Sequence, residues 1–383
     1  MEYRKHSNID KPLSLFGIGC MRLPIIEKEN SSVIDEDKAI HMIRYGIDHG
    51  VNYIDTAYNY HNGDSERVVG KALKDGYREK VSLATKLPSW YVKEASDFDR
   101  ILNEQLQKLD TDHIDFYLLH SLNKKSWEHL SNLGVMEFMK KSREQGKIKY
   151  ICFSFHDNFD VFKSIIDSFD WDMCQIQLNI MDMHEQAGVE GLKYAGSKNI
   201  PVVIMEPLKG GKLANSVTPE IEAIWDQAEI KRTPVEWAFR WLYNFPEIAV
   251  ILSGVTTLEQ LQDNLRIFKD AKANCMTEDE LNLTHKVRDV YLQKTRVNCT
   301  WCNYCQPCPQ GVLIPEIFYN VNNASMYKEE AYCRRNYINN FVKNNKDASQ
   351  CIECGNCEAV CPQSIPIIEK LKESHEYLTQ KQV

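Results

Sequence analysis

From about residue 13 to 268 the chain alternates short apolar, β-branched runs with longer stretches in which apolar residues recur every three or four positions. A short apolar run bounded by turn-forming residues suits a strand buried on both faces, and the longer period suits an amphipathic helix. The runs are Leu13–Cys20, Val51–Ala57, Val81–Leu87, Ile114–His120, Ile148–Phe155, Cys174–Asn179, Val202–Pro207 and Ile248–Gly254. The helical pattern covers Asp37–His49, Ser65–Lys74, Phe98–Leu109, Trp127–Gln145, Asn158–Ser168, Gln186–Ser197, Pro234–Asn244 and Leu258–Phe268. Several ends are punctuated: Asp64 or Ser65 precedes Glu66, Gly76 follows the second helix, and Thr233-Pro234 opens the seventh.

Eight strands, each followed by a helix, within about 250 residues predict a parallel (β/α)₈ TIM barrel. A doubly wound sheet fits less well, because no Gly-x-Gly-x-x-Gly follows an early strand. A further amphipathic stretch, Glu278–Leu292, leads into a cysteine-rich tail. The predicted organisation is a barrel over 1–275, a connecting helix over 276–298 and a small α-helical domain over 299–383.

Charge changes this picture little: 46 Lys and Arg against 54 Asp and Glu leave −8, and 43% hydrophobic with 26% charged residues is ordinary for a globular chain. Disorder and a nucleic-acid-binding basic surface are disfavoured. The N-terminus lacks an apolar signal core, and no apolar stretch approaches membrane-spanning length, so no membrane association and a cytoplasmic location are expected. Thiols in that setting bind metals more readily than they form disulfides.

In a barrel of this kind the chemistry sits at the C-terminal ends of the strands. There the second run ends in Asp55 with Tyr60 beyond it, the third in Lys86 and the fourth in His120. Each residue alone has a structural reading as a turn cap, a solvated strand end or a satisfied histidine. Together an Asp, a Tyr, a Lys and a His converge on one mouth.

The stretch Gly50-Val-Asn-Tyr-Ile-Asp-Thr-Ala-Tyr-Asn-Tyr60, with Ser65-Glu66 and Val69-Gly70, resembles the signature of the aldo-keto reductase superfamily. So do Ala84-Thr-Lys86, Tyr117-Leu-Leu-His120, Cys174-Gln175 and Ile251–Thr257 with Gln260 and Asn264. The resemblance implies a catalytic tetrad of Asp55, Tyr60, Lys86 and His120. It also implies a nicotinamide cofactor, NADPH or NADH, held by Ser154, Gln175, Pro207, Leu208, Gly210, Gly254, Thr256, Gln260 and Asn264. The substrate would be a small carbonyl or alcohol. The roles make physical sense: a phenol near pKa 10 is a weak acid unless an ammonium stabilises its phenolate. Two departures stand out. Ser154-Phe-His156-Asp replaces the Ser-Asn of many members, and Gly254 and Gln260 stand where some carry a basic clamp for the 2′-phosphate, leaving the choice of nucleotide open. His156 is read as a loop histidine or a substrate contact, and Arg22 as a surface ion pair or an anion contact.

Eight of the 13 cysteines fall in two windows. Cys351-x₂-Cys354-x₂-Cys357-x₃-Cys361-Pro is the run of bacterial ferredoxins, and Cys299-x₂-Cys302-x₂-Cys305-x₂-Cys308-Pro is the same run one residue shorter. They predict a ferredoxin-like domain with two [4Fe–4S] clusters; a zinc site is the alternative. By the ferredoxin pattern, Cys299, Cys302 and Cys305 pair with Cys361, and Cys351, Cys354 and Cys357 with Cys308. The whole arrangement resembles the bacterial and archaeal aldo-keto reductases that carry such a C-terminal domain, and implies an anaerobe's oxidoreductase.

The expected function is nicotinamide-dependent carbonyl reduction or alcohol oxidation, with clusters for electron transfer and a redox partner protein as a candidate. Two alternatives keep the enzyme: clusters that feed the barrel through a flavin, and clusters that are purely structural. A third, a non-catalytic electron-carrier or interaction protein with a relic barrel, gives no chemical reason for Tyr60 and Lys86 to persist together.

Overall fold

All eight apolar runs enter one closed parallel barrel: β1 (Phe16–Gly19), β2 (Tyr53–Asp55), β3 (Ser82–Pro88), β4 (Ile114–Leu122), β5 (Ile148–Phe155), β6 (Met173–Gln177), β7 (Val202–Met205) and β8 (Ile248–Ser253). Each strand pairs with its neighbours in sequence and β8 closes onto β1, the connectivity that right-handed strand–helix–strand units produce. The computed structural model describes residues 1–28, 31–215, 217–299, 304–361 and 363–380.

Alternation along each strand decides what fills the barrel. Tyr53, Ala84, Leu118, Cys152 and Met173 belong to one buried cluster inside it. The next position of the same parity on those strands is Asp55, Lys86, His120, Ser154 and Gln175. A period of two therefore delivers five of the polar candidates to the C-terminal mouth, directly above an apolar floor. Below, Phe116 stacks on Tyr150 at 4.7 Å and tilts against Tyr53 at 5.4 Å, so the interior is packed solid.

Several local expectations are revised. The run Leu13–Cys20 divides: Leu13–Ser14 pairs antiparallel with Tyr3–Arg4, and only Phe16–Gly19 joins the barrel. The helix expected over Trp127–Gln145 breaks into Lys124–Asn132 and Val135–Glu144, because Gly134 between them takes φ 79°, a left-handed value that ends a helix. After β1 an unforeseen hairpin pairs Ile25–Lys28 with Ser31–Ile34.

By internal contacts the chain forms two units, Met1–Gly210 with Val235–Thr277, and Gly211–Pro234 with Glu278–Val383. From the sequence, residues 211–234 are expected in the barrel domain and 276–298 as a separate connector. In the structure 211–234 packs within the second unit, where Lys212 meets Glu329 at 3.5 Å and Glu220 meets Lys294 at 3.6 Å, and Glu278–Leu292 is one of that unit's own helices. The other long helices there are Ile314–Tyr327, Glu330–Asn340 and Ile367–Thr379, closed around Val312, Ile317, Phe318, Val321, Tyr337, Phe341 and Leu371.

Candidate active site and cysteine-lined cavity

Lys86 is the hub of the barrel mouth. Its Nζ donates to Asp55 Oδ1 at 2.6 Å, to the Thr56 carbonyl at 2.9 Å and to the Tyr60 hydroxyl at 3.4 Å. Asp55 and Lys86 are 2% and 1% exposed, so the pair is dry and its charges depend on each other. Tyr60 arrives from the loop after β2: left-handed His61 and Asn62 (φ 51° and 57°) tighten the turn, and His61 Nε2 accepts from the Leu23 amide at 3.0 Å.

Burial works against the Lys86 ammonium, but the Asp55 carboxylate and the Tyr60 hydroxyl outweigh it and hold the lysine above its ordinary value. Burial pushes the Asp55 carboxyl upward against the pull of Lys86. Burial also raises the Tyr60 phenol, with the Lys86 charge opposing. For His120, burial and then the Lys86 charge act together and hold the ring well below its ordinary value, so the imidazole is neutral at physiological pH.

Tyr60 and His120 meet edge to face with ring centroids 6.1 Å apart. On the other side of His120 lies Trp90, at 4.9 Å, followed by Tyr91. Both are about half exposed and form an aromatic shelf that was not among the expected site residues. The only available clue was their position four and five residues after Lys86.

Three buried polar atoms around this mouth have no hydrogen-bond partner among the described residues: Asp55 Oδ2, His120 Nδ1 and Gln175 Oε1. Unsatisfied buried polar atoms in a native fold ask for a ligand or a water. Ser154 Oγ accepts from the Ser121 amide at 2.7 Å and keeps its own hydrogen to donate. A group carrying both an N–H donor and a carbonyl acceptor, as a carboxamide does, fits Gln175 and Ser154.

The loop after β7 carries Pro207, Leu208 and Gly210, with left-handed φ at Glu206 (55°), Lys209 (48°) and Gly210 (71°). It is tied down: Lys209 Nζ lies 2.6 Å from Asp182 Oδ1, and Arg22 Nη1 donates to the Gly210 carbonyl at 2.8 Å while Nη2 stands 3.8 Å from Glu206. Arg22 is thus engaged in an ion pair at the mouth. After β8, the Thr256 amide donates to Gln260 Oε1 at 2.9 Å, which brings these two candidates together; Gly254 lies against the Arg22 stem, and Asn264 turns to Ser253 Oγ at 2.9 Å. His156 is exposed beyond β5.

In the second unit Cys305 and Cys308 from the first motif, with Cys351, Cys354 and Cys357 from the second, line one cavity of about 190 Å³. Cys299 and Cys361 pack against the same core; Cys302 lies outside the described residues. Thiol donors from both motifs around one volume suit a sulfur-ligated cluster, to which thiolates bind at the corners. Cys333, between the motifs, is 1% exposed, and burial raises its thiol to about 11, as expected of a packed residue.

The profile of the Aldo/keto reductase family matches residues 16–274, and that of the 4Fe-4S dicluster domain matches residues 298–365. An uncharacterised oxidoreductase of Bacillus subtilis, YqkF, is 25% identical over 323 residues, 76% of this chain and 98% of that protein. The NADH-specific methylglyoxal reductase of Escherichia coli is 25% identical over 280 residues, 60% of this chain and 83% of that protein. Among solved structures, the holo form of aldo-keto reductase AKR11C1 from Bacillus halodurans superposes with a TM-score of 0.63 at 23% identity, covering 75% of this chain and 96% of that one. An aldo-keto reductase from Klebsiella pneumoniae in complex with NADPH gives 0.59 at 22% identity, covering 72% and 92%. The two structures share the barrel fold.

Proposed function

The chain belongs to the aldo/keto reductase family and carries a C-terminal 4Fe-4S dicluster domain, and from that premise we propose that it reduces a small carbonyl compound, or oxidises the corresponding alcohol, with a nicotinamide dinucleotide at the barrel mouth. The observation that carries this reading is the buried Lys86 ammonium held between Asp55 and the Tyr60 hydroxyl. A nicotinamide bound there would supply hydride to the carbonyl carbon, and the alkoxide oxygen so formed would need a proton. Tyr60 gives it; Lys86 stabilises the phenolate left behind, and Asp55 keeps Lys86 charged and in place. Neutral His120 hydrogen-bonds the carbonyl oxygen and orients it. Ser154 and Gln175 would hold the carboxamide, while Pro207, Leu208, Gly210, Gly254, Thr256, Gln260 and Asn264 would line the phosphate and adenosine end.

The test is NADPH and NADH oxidation with a panel of aldehydes, comparing the wild type with Tyr60→Phe. General acid catalysis is worth roughly 10²–10⁴-fold, so a loss of that size at unchanged nucleotide affinity supports the assignment. A variant that keeps its rate refutes it.

For the second unit the reading is two [4Fe–4S] clusters passing single electrons, with Cys299, Cys302, Cys305 and Cys361 on one and Cys351, Cys354, Cys357 and Cys308 on the other. The cavity lined by Cys308, Cys351, Cys354 and Cys357 together with Cys305 brings thiols of both motifs to one volume, and the division between clusters follows the ferredoxin pattern. About eight iron and eight sulfide per chain are expected, four of each per cluster. Anaerobic titration with NADPH, followed near 400 nm with extractable flavin measured on the same sample, tests whether nicotinamide and clusters exchange electrons: bleaching supports it, and an unchanged band leaves the clusters to another donor.

A further inference from the structure

Among the described cysteines Cys354 alone is exposed. Three large apolar side chains line the same cavity and also face solvent: Tyr304 (67% exposed), Ile352 (60%) and Val360 (50%). Scattered exposed apolar residues need no explanation, but three gathered around the most accessible thiol make a patch.

The charge in the surrounding sequence is net acidic. Between Cys351 and Cys361 stand Glu353 and Glu358 and no basic residue; over 351–380 there are five Glu, two Lys and no Asp or Arg. Both lysines are engaged by acids, Lys372 with Glu353 and Lys370 with Glu373, each at 2.7 Å. A cluster held by four thiolates in the cavity would add further negative charge beneath the patch. An acidic visitor would be repelled and a basic one steered in.

We propose that the surface around Cys354, Ile352, Val360 and Tyr304 docks a one-electron carrier protein with an apolar centre and a basic rim. This rests on the reading that the second unit holds redox-active clusters. One electron leaves the reduced cluster, which returns to its oxidised state, and enters the metal centre of the carrier; no bond or proton is exchanged. A small apolar patch suits a short-lived encounter, since redox partners bury less than a stable interface does. A second copy of this chain would bring like charge to like.

The test uses the holoprotein, reduced anaerobically with dithionite and freed of excess reagent, mixed with a lysine-rimmed c-type cytochrome while haem reduction is followed. The rate constant should fall about 10-fold between low and physiological ionic strength, as for steered association, and an acidic plant-type ferredoxin should react more slowly. Glu353→Gln with Glu369→Gln, the latter exposed and next in sequence to Ile368 of the cavity wall, should slow the low-salt rate to the cytochrome about 3-fold or more, with iron and sulfide contents unchanged. Neutral benzoquinone, which needs no docking surface, should be reduced equally by both proteins. A salt-independent cytochrome rate, a faster acidic carrier, an unaffected variant or a rate suppressed by self-association overturns the proposal. If benzoquinone is not reduced either, the clusters are not redox-active and the underlying reading fails with it.

Discussion

Replacing Asp55 by Asn removes one charge of the buried pair and leaves the other nearly isosteric with its former surroundings. Lys86 Nζ is then an ammonium in a site that is 1% exposed, keeping the Thr56 carbonyl at 2.9 Å and the Tyr60 hydroxyl at 3.4 Å. A buried lysine without a counter-charge falls by as much as about 3–5 pKa units. At about 1.4 kcal/mol per unit that bounds the cost near 4–7 kcal/mol. The two surviving hydrogen bonds offset part of it, so we expect a loss of about 3–5 kcal/mol at pH 7, the range for breaking a buried pair from one side. A neutral Lys86 no longer stabilises the Tyr60 phenolate, and kcat/KM for carbonyl reduction falls by at least about 10²-fold.

The sign of the pH dependence separates this account from simple misfolding. In the wild type the folded-state pKa of Lys86 is raised, so the stabilisation by the pair is complete below the unfolded value and disappears as pH climbs through the folded one. In Asp55→Asn the folded pKa lies below the unfolded one, so the penalty grows as pH falls from the alkaline range. The stability difference between the two proteins should therefore be largest near neutrality and shrink towards pH 10. Urea unfolding followed by tryptophan fluorescence at pH 7, 8.5 and 10 measures it. A deficit below about 1 kcal/mol, or one that does not change with pH, would refute the reasoning, as would retained turnover.

Other consequences are simpler. Because burial raises the Tyr60 phenol, the acid form dominates at neutral pH: carbonyl reduction should be flat from about pH 6 to 8 and fall only in the alkaline range, while alcohol oxidation should rise with pH; steady-state profiles in both directions check this. Trp90→Ala removes the face packed on His120 at 4.9 Å and should raise KM for benzaldehyde-like substrates about 3–10-fold, a stacking-sized effect, with little change for methylglyoxal. The Arg4 guanidinium donates to the carbonyls of Tyr243, Phe245 and Ile248, so Arg4→Ala should cost about 2–4 kcal/mol in urea unfolding, because it strands acceptors at a buried helix end. That variant should keep its KM values.

How much of this was legible in the sequence depends on what holds each residue in place. Asp55, Lys86, His120, Ser154 and Gln175 sit on strands, where a period of two settles which side chains face inward once the floor residues Tyr53, Ala84, Leu118, Cys152 and Met173 are known to be apolar and buried. Their convergence follows from barrel closure and from nothing local. The paired Thr256 and Gln260 are close for an equally short-range reason, four residues apart at a helix start.

Residues placed by loops were harder to see. Trp90 reaches His120 because the chain after β3 makes one tight 3-10 turn, Ser89–Tyr91, fastened where Ser89 Oγ donates to the His120 carbonyl at 2.9 Å. The register slip on β4, with Ser121 at φ 56°, supplies the amide that Ser154 accepts; a serine carries no mark of a left-handed backbone in its sequence. The membership of 211–234 was hidden for a related reason. Its short helix Pro219–Trp225 buries only Ile221 and Trp225, too few positions to show a direction by periodicity, so what it packs against is decided by long-range partners such as Lys294 and Glu329. Inward-facing strand positions are written in a pattern of two, while the loops that complete the mouth depend on single hydrogen bonds between distant residues; that is why Asp55, Lys86 and His120 could be placed at the mouth from the strands, why loop-borne Tyr60 was suggested only by the family resemblance, and why the aromatic shelf went unseen.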